Sequence, residues 1–293
     1  MGNDFQRGIL LPIPPLARYL TFSVRPVSDP RGSLRALREV ADGEGVVVGI
    51  GQSLALAMGR NVAGLRTLPQ HAGAGFDVPS TPSALWIWAR GEDRGELYHR
   101  SRLTERTVGR AFRLESVVDA FRYNGGRDLT GYEDGTENPR GRKAREAAIV
   151  RAPFALAGSS FAAVQQWEHR FERFEAMSSR QQDNAIGRRR ASNEEIAGAP
   201  PSAHVKRTAQ ETFEPPAFVV RRSMPWAEAM RAGLMFVAFG ASFDAFEAQL
   251  RRMVGAEDGI ADALFGFTRP VTGAYYWCPG MRGGRLDLAP LGL

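Results

Sequence analysis

GLMFVAFGASFDAFEAQLRRMVG, Gly233 to Gly255, decides how this chain is read. Its first eight residues form an apolar run the length of one buried strand. From Ser242 the spacing changes. Phe243, Phe246, Leu250 and Met253 recur every three or four residues, which gathers them on one helix face, and Gly255 supplies a stop. A strand that hands over at once to an amphipathic helix is part of a larger unit, so the reading extends outward in both directions.

Upstream, SSFAAVQQWEHRF (Ser159 to Phe171) begins as a strand, SRQQDNAIGR (Ser179 to Arg188) is a helix and AFVVRR (Ala217 to Arg222) is a second strand. Downstream, ALFGFTRPVTGAYYW (Ala263 to Trp277) supplies the last strand, with a bend near Pro270 and Gly273. The first half of the chain runs in the same order. ARYLTFSV (Ala17 to Val24) reads as a strand. SLRALREVADG follows as a helix from an N-cap at Ser33 to a stop at Gly43. GVVVGIG and SALWIWA are strands, GELYHRSRLTERTVG is a helix, and SVVDAFRYNGG closes the set as a strand. Strand, helix, strand, strand, helix, strand, twice over, predicts an α+β protein of two ferredoxin-like halves. Each half is a mostly antiparallel four-stranded sheet with helices packed on one face. The boundaries fall at residues 1–130 and 151–293, with 131–150 as the connection. A connection of that length with little structure of its own is a place for function.

Composition narrows the class. At roughly 150 residues per domain, 293 residues make one large or two ordinary domains. With 43% hydrophobic and 24% charged residues, the chain can build a core without staples. A single cysteine, Cys278, excludes a disulfide framework and a cysteine-rich metal site and fits a reducing, cytoplasmic setting. The start, MGNDFQRGILLPIPPLARYL, is a poor secretory signal, and no stretch of about 18 apolar residues predicts a membrane span. The net charge is +6, almost all of it arginine. RGRKAR (Arg140 to Arg145) and GRRR (Gly187 to Arg190) are patches that a nucleic-acid-binding module would use, and a solvated arginine-rich surface gives the same pattern.

The connection opens with GYEDGTENP, Gly131 to Pro139. Glycines flank Asp134, and Asn138–Pro139 stiffens the exit. On its own this is a solvent-exposed turn. Of the four histidines, His99 and His169 fall in charged stretches that predict surface positions, and His71 lies in a glycine-rich loop. His204 follows a polar run. Arg221 and Arg222 enter a predicted strand side by side, so one of them faces the interior or a ligand and needs an anion there.

Taken in order, these residues resemble the dye-decolourising (DyP-type) haem peroxidases. GYEDG followed by Asn138–Pro139 is similar to the family's GxxDG mark, and IGRRRASNEEI, SAHVKR, VVRRSMPW and DALFGFTRPVTGAYYW continue the resemblance along most of the chain. It implies that His204 binds the iron of a non-covalent haem b and that Asp262 bonds the far nitrogen of that histidine. It implies a distal aspartate at Asp134 and a distal arginine at Arg221. Ser223 would join them where many bacterial relatives carry asparagine and others serine. Arg188 would touch a haem propionate, with Arg189 as its competitor. No CxxCH is present for thioether links.

The chemistry implied is the reduction of hydrogen peroxide with oxidation of an organic reductant such as a dye or a phenol, the haem cycling through a ferryl state. The carboxylate would move the peroxide proton and the guanidinium would stabilise developing charge. A free carboxylate titrates near 3.9, so the optimum for dye oxidation should be acidic, and a flat profile from about pH 4 to 8 would count against Asp134 as the titrating group. Bulky reductants would pass electrons through an aromatic side chain, with Trp86, Trp88, Trp167, Trp226, Trp277, Tyr275 and Tyr276 all open as routes. Relatives form dimers and larger assemblies, so a homo-oligomer is expected. A haem carrier would use the same pocket, and peroxide-dependent turnover separates the two readings.

Overall fold

A computed structural model describes residues 4–73, 76–152 and 156–293. Eight strands carry the fold: β1 (Leu16–Val24), β2 (Val46–Ile50), β3 (Leu85–Gly91), β4 (Phe112–Phe121), β5 (Ser160–His169), β6 (Met224–Glu228), β7 (Arg231–Gly240) and β8 (Ala274–Cys278). The helices that matter for the site are α1 (Arg31–Val40), α2 (Arg94–Val108), α3 (Gly141–Ala148), α4 (Ser179–Ile186), α5 (His204–Arg207) and α6 (Asp244–Met253).

The first four strands lie in the order β2-β3-β1-β4 and the last four in the order β8-β5-β7-β6, every neighbouring pair antiparallel. The sequence predicts two separate sheets. The structure has one. Trp277 on β8 pairs with Ile50 on β2, and Ala120 on β4 pairs with Trp226 on β6, so the two sets join at both edges and close into a barrel. Closure covers backbone groups that each sheet alone would leave unpaired at its edges.

Side chains alternate across that wall with the period of a strand. Tyr19, Trp86, Trp88, Trp226, Val237, Phe239 and Tyr276 point inward and fill the barrel. Leu20, Ile87, Ala238 and Trp277 point outward and pack under Leu34 and Leu37 of α1, Leu97 of α2, and Leu250 and Met253 of α6. The five barrel aromatics Trp86, Trp88, Trp226, Tyr19 and Tyr276 are sealed from solvent. Truncating any of them to alanine should cost about 3–5 kcal/mol.

Local expectations changed in four places. The first helix starts at Arg31 after Pro30 and ends at Val40. Ser33 therefore sits inside it, buried, its hydroxyl bonded to the Val108 carbonyl rather than capping. The second strand of the latter half is β6; AFVVRR contributes only Val220–Arg221, at the edge of β7. The connection carries α3, so it is not without structure. His71 belongs to a small hairpin, His71–Gly73 with Phe76–Val78. The bend at Pro270 and Gly273 is where the sequence puts it, between Thr268–Pro270 and β8.

Candidate active site

A cavity opens between the outer face of β5 and β7, helix α6 and the GYEDG loop. Its walls are mostly apolar, from Trp167, Leu234, Phe236, Phe246, Leu250 and Met253. His204, Asp134 and Arg221 all line it. A concave apolar site with a few convergent polar groups is the usual form of a ligand pocket.

His204 opens the one-turn helix α5. Its Nδ1 lies 2.7 Å from Asp262 Oδ2, and among the described residues its Nε2 has no hydrogen-bond partner. Asp262 is buried and rigid. Its other oxygen accepts from the Leu264 N–H at 2.9 Å, and its own N–H donates to the Met253 carbonyl. Asp262 therefore orients the ring and leaves Nε2 as the free donor atom. Arg207, three residues on, fixes the turn from behind. It is buried, forks onto Asp258 at 2.7 and 2.8 Å, and donates to the Arg252 carbonyl at the end of α6. Sequence reading missed Arg207; the only signal was an arginine one turn beyond the histidine.

Asp134 and Arg221 face one another at 3.7 Å. Arg221 is held by Asn138, four residues beyond Asp134 in the same loop, whose side-chain oxygen accepts from the Arg221 N–H at 2.7 Å while its amide donates to the Arg221 carbonyl at 3.0 Å. Asn138 thus does more than stiffen an exit: it clamps the loop to the edge strand. Gly135 is required for this. Its φ is +73°, and a Cβ there would meet Asn138 Nδ2 at 2.6 Å. Gly131 packs against the Arg190 side chain in the same way. The glycines serve the fit of the loop to its own protein neighbours, which the sequence alone did not show.

Of the arginine pair, Arg221 faces the cavity and Arg222 lies apart, donating to the Arg221 and Leu10 carbonyls. Burial and then the nearby Arg90 charge push the Arg222 guanidinium down to about 10. Ser223 is buried, and among the described residues its hydroxyl has no hydrogen-bond partner. It lines a neighbouring polar cavity that shares Asp134 and Arg221 as its wall. Arg188 is largely buried, bonded to Glu137 at 2.7 Å and to the Asn193 carbonyl, and lines the mouth beside His204, whereas Arg189 is exposed.

His169 is not a surface residue. It lines the cavity with its side chain 6% exposed, Nε2 2.9 Å from Asp128 and Nδ1 2.8 Å from Thr268. Burial works to raise the Asp128 carboxyl, but the His169 charge and hydrogen bonds from His169 and Thr130 outweigh it and hold it below the usual range. Asp128 also accepts from the Thr130 N–H, so this pair ties the start of the loop to β5. Cys278 is buried at the end of β8, and burial pushes its thiol up.

Among the described residues no three His, Cys, Asp or Glu side chains converge on a point. One free imidazole nitrogen in an apolar cavity is the donor set for a metal that arrives with its other ligands already in place. A family model for the C-terminal part of Dyp-type peroxidases matches residues 125–283, a span that holds every one of these groups. The chain belongs to the Dyp-type peroxidase family.

Relatives agree along most of the chain. The dye-decolorizing peroxidase of Mycobacterium tuberculosis is 28% identical over 92% of this chain and 87% of its own. That of Rhodococcus erythropolis is 28% identical over 92% and 85%. Among solved structures, the dye-decolorizing protein of Vibrio cholerae superposes with a TM-score of 0.85 at 28% identity, covering 93% of this chain and 96% of that one. A Rhodococcus jostii DypB variant in complex with heme superposes at 0.82 with 24% identity, over 92% and 94%, and shows the shared fold. This Dyp-type chain is accordingly a peroxidase.

Proposed function

We propose that this Dyp-type peroxidase binds haem b in the cavity through His204 and reduces hydrogen peroxide there at the expense of an organic reductant, a dye or a phenol. The observation that carries the reading is His204, with Nδ1 held by Asp262 and Nε2 free, in the same apolar cavity as the Asp134–Arg221 pair. The residues fit the group: one nitrogen donor, apolar walls for a macrocycle, and Arg188 at the mouth for an acidic substituent. The heme-bound Rhodococcus jostii neighbour supports the choice of cofactor.

Bound haem would supply a redox-active iron. Everything else falls to the chain. Asp262 keeps the proximal imidazole in one tautomer and makes it a stronger donor. Asp134 accepts the proton of an incoming peroxide and returns it to the departing oxygen. Arg221, held by Asn138, faces Asp134 at 3.7 Å and stabilises charge that develops as the O–O bond breaks. Ser223 gives a hydroxyl for peroxide or water on the polar side.

We further read each set of four strands as a ferredoxin-like half; the orders 2-3-1-4 and 4-1-3-2, counted within each half, support this. The units 1–130 and 151–293 follow, with 131–150 as their connection. The same reading makes the enzyme a cytoplasmic homo-oligomer, to be checked by sedimentation velocity. No described helix is long and apolar enough to cross a membrane.

The test is a visible absorption spectrum of the haem-loaded protein before and after one equivalent of hydrogen peroxide. A histidine-ligated ferric Soret band that shifts within seconds is expected. Absence of haem uptake overturns the reading, and bleaching without a new spectrum moves it to a haem carrier.

A further inference from the structure

Tyr132 is a buried titratable group in the cavity that the roles above leave unused. Only 5% of it is exposed, it lines the cavity with His204 and Asp134, and its hydroxyl donates to Asp183 Oδ1 at 2.5 Å. Asp183 lies on α4 and is partly exposed, and the same oxygen accepts from the Arg190 N–H at 3.1 Å. Arg190, whose N–H meets Asp183 and whose side chain packs on Gly131, is exposed, as is its neighbour Arg189 at the end of the GRRR stretch. Tyr132 therefore runs from the cavity to a cationic surface in a single residue and one hydrogen bond.

The aromatic routes open at sequence level do not do this. Trp86, Trp88, Trp226, Trp277, Tyr275 and Tyr276 are each at most 2% exposed and none lines the cavity. Trp167 does line it, but its indole N–H meets the Gln165 side-chain oxygen at 3.3 Å, an amide that cannot take up a proton. The phenol of Tyr132 faces a carboxylate that can. Burial first, and the bond to Asp183 second, push the phenol's titration well above its ordinary range, so the ring is protonated whenever it meets an oxidant. Its oxidation then requires a proton acceptor in contact, and Asp183 is one.

We propose that Tyr132 passes single electrons to the cofactor site from an anionic aromatic reductant, a sulfonate or carboxylate, held at Arg189 and Arg190; this rests on the haem reading above. In the step, the peroxide-oxidised cofactor takes one electron from Tyr132 and the phenolic proton moves along the hydrogen bond to Asp183. A neutral phenoxyl radical and a carboxylic acid result. The reductant then gives one electron to the radical, the proton returns from Asp183, and the reductant leaves as its one-electron oxidised form. Two such cycles supply two electrons, and with two protons released by the oxidised reductant or taken from solvent they balance one hydrogen peroxide reduced to two waters.

The experiment is freeze-quench electron paramagnetic resonance of the haem-loaded protein after one equivalent of hydrogen peroxide, with ring-deuterated tyrosine to assign the signal. A tyrosyl signal is expected in the wild type, lost in Tyr132→Phe, and reduced about tenfold in Asp183→Asn, which keeps the phenol but removes the base. Raising the ionic strength with the wild-type enzyme should lower kcat/KM for a sulfonated azo dye about tenfold and leave that for an uncharged phenol within about twofold. A tyrosyl signal that persists in Tyr132→Phe overturns the proposal, as does an equal loss for both substrates. Tyr132→Phe removes one hydroxyl and keeps the ring, so folding is not at issue. A wild type that binds haem and changes its spectrum with peroxide yet shows no tyrosyl signal sinks the relay alone. A wild type that shows no such spectrum sinks the haem reading beneath it.

Discussion

His204 and His169 reach into one cavity, each with a carboxylate behind its ring, Asp262 at 2.7 Å and Asp128 at 2.9 Å. Their second nitrogens differ. His169 gives both ring nitrogens to protein partners, Asp128 and Thr268, whereas His204 gives one. Their anchors differ too. His169 ends a ten-residue strand in the barrel wall, and His204 starts a single helical turn held from outside by Arg207. A histidine–carboxylate pair thus keeps a lone pair for a ligand, as at His204, or spends both nitrogens on the protein, as at His169. A motif search that counts only the pair cannot separate them.

The strongest way to break that comparison is to exchange losses. His204→Ala should abolish the histidine-ligated Soret band, a loss beyond the roughly 10–100-fold that second-shell partners cost. His169→Gln should leave the band in place, and a visible spectrum of each variant decides. Next in size are the carboxylates. Asp262→Asn should slow the reaction with peroxide about 10–100-fold, read by stopped flow, because on the proposed ligation the His204 ring loses its acceptor. Asp128→Asn should leave that rate nearly unchanged and lower stability by about 1–3 kcal/mol in a denaturant titration, because the loop loses its tie to β5.

The smallest effect concerns the strand end that carries His169. Glu168 is bonded to Arg231 at 2.8 Å and to Arg269 at 2.9 Å, and these hydrogen bonds, Arg231 first, pull its carboxyl down to about 2. A folded-state value below the unfolded one stabilises the protein above the unfolded value and ceases to do so as pH falls through about 4.5 toward 2. Glu168→Gln should therefore cost about 1–2 kcal/mol at pH 7, reduced for the exposure of both arginines, and almost nothing near pH 2. Urea titrations at the two pH values measure the difference.

Much of this was legible from residues alone. The helix from Ser242 to Gly255 and the strands beside it declare themselves through spacing, because period 3.6 and period 2 are local properties of the chain. The alternation of Trp86, Trp88 and Tyr276 with their outward neighbours follows from the same rule. The set His204, Asp262, Asp134 and Arg221 came through resemblance, and the structure brings its two halves to one cavity.

The sequence by itself determined the order of strands and helices, the arginine-rich charge and the residues of the GYEDG loop. Tertiary structure alone decided the closure of two sheets into a barrel, because edges pair by Trp277 with Ile50 and Ala120 with Trp226 across long sequence distances. It alone decided that Asn138 clamps Arg221, 83 residues away, that His169 is sealed against Asp128, 41 away, and that Tyr132 meets Asp183, 51 away. Periodicity is set by neighbours on the chain and can be read there. A hydrogen bond between distant residues is set by how the layers pack, and no spacing in the sequence records it.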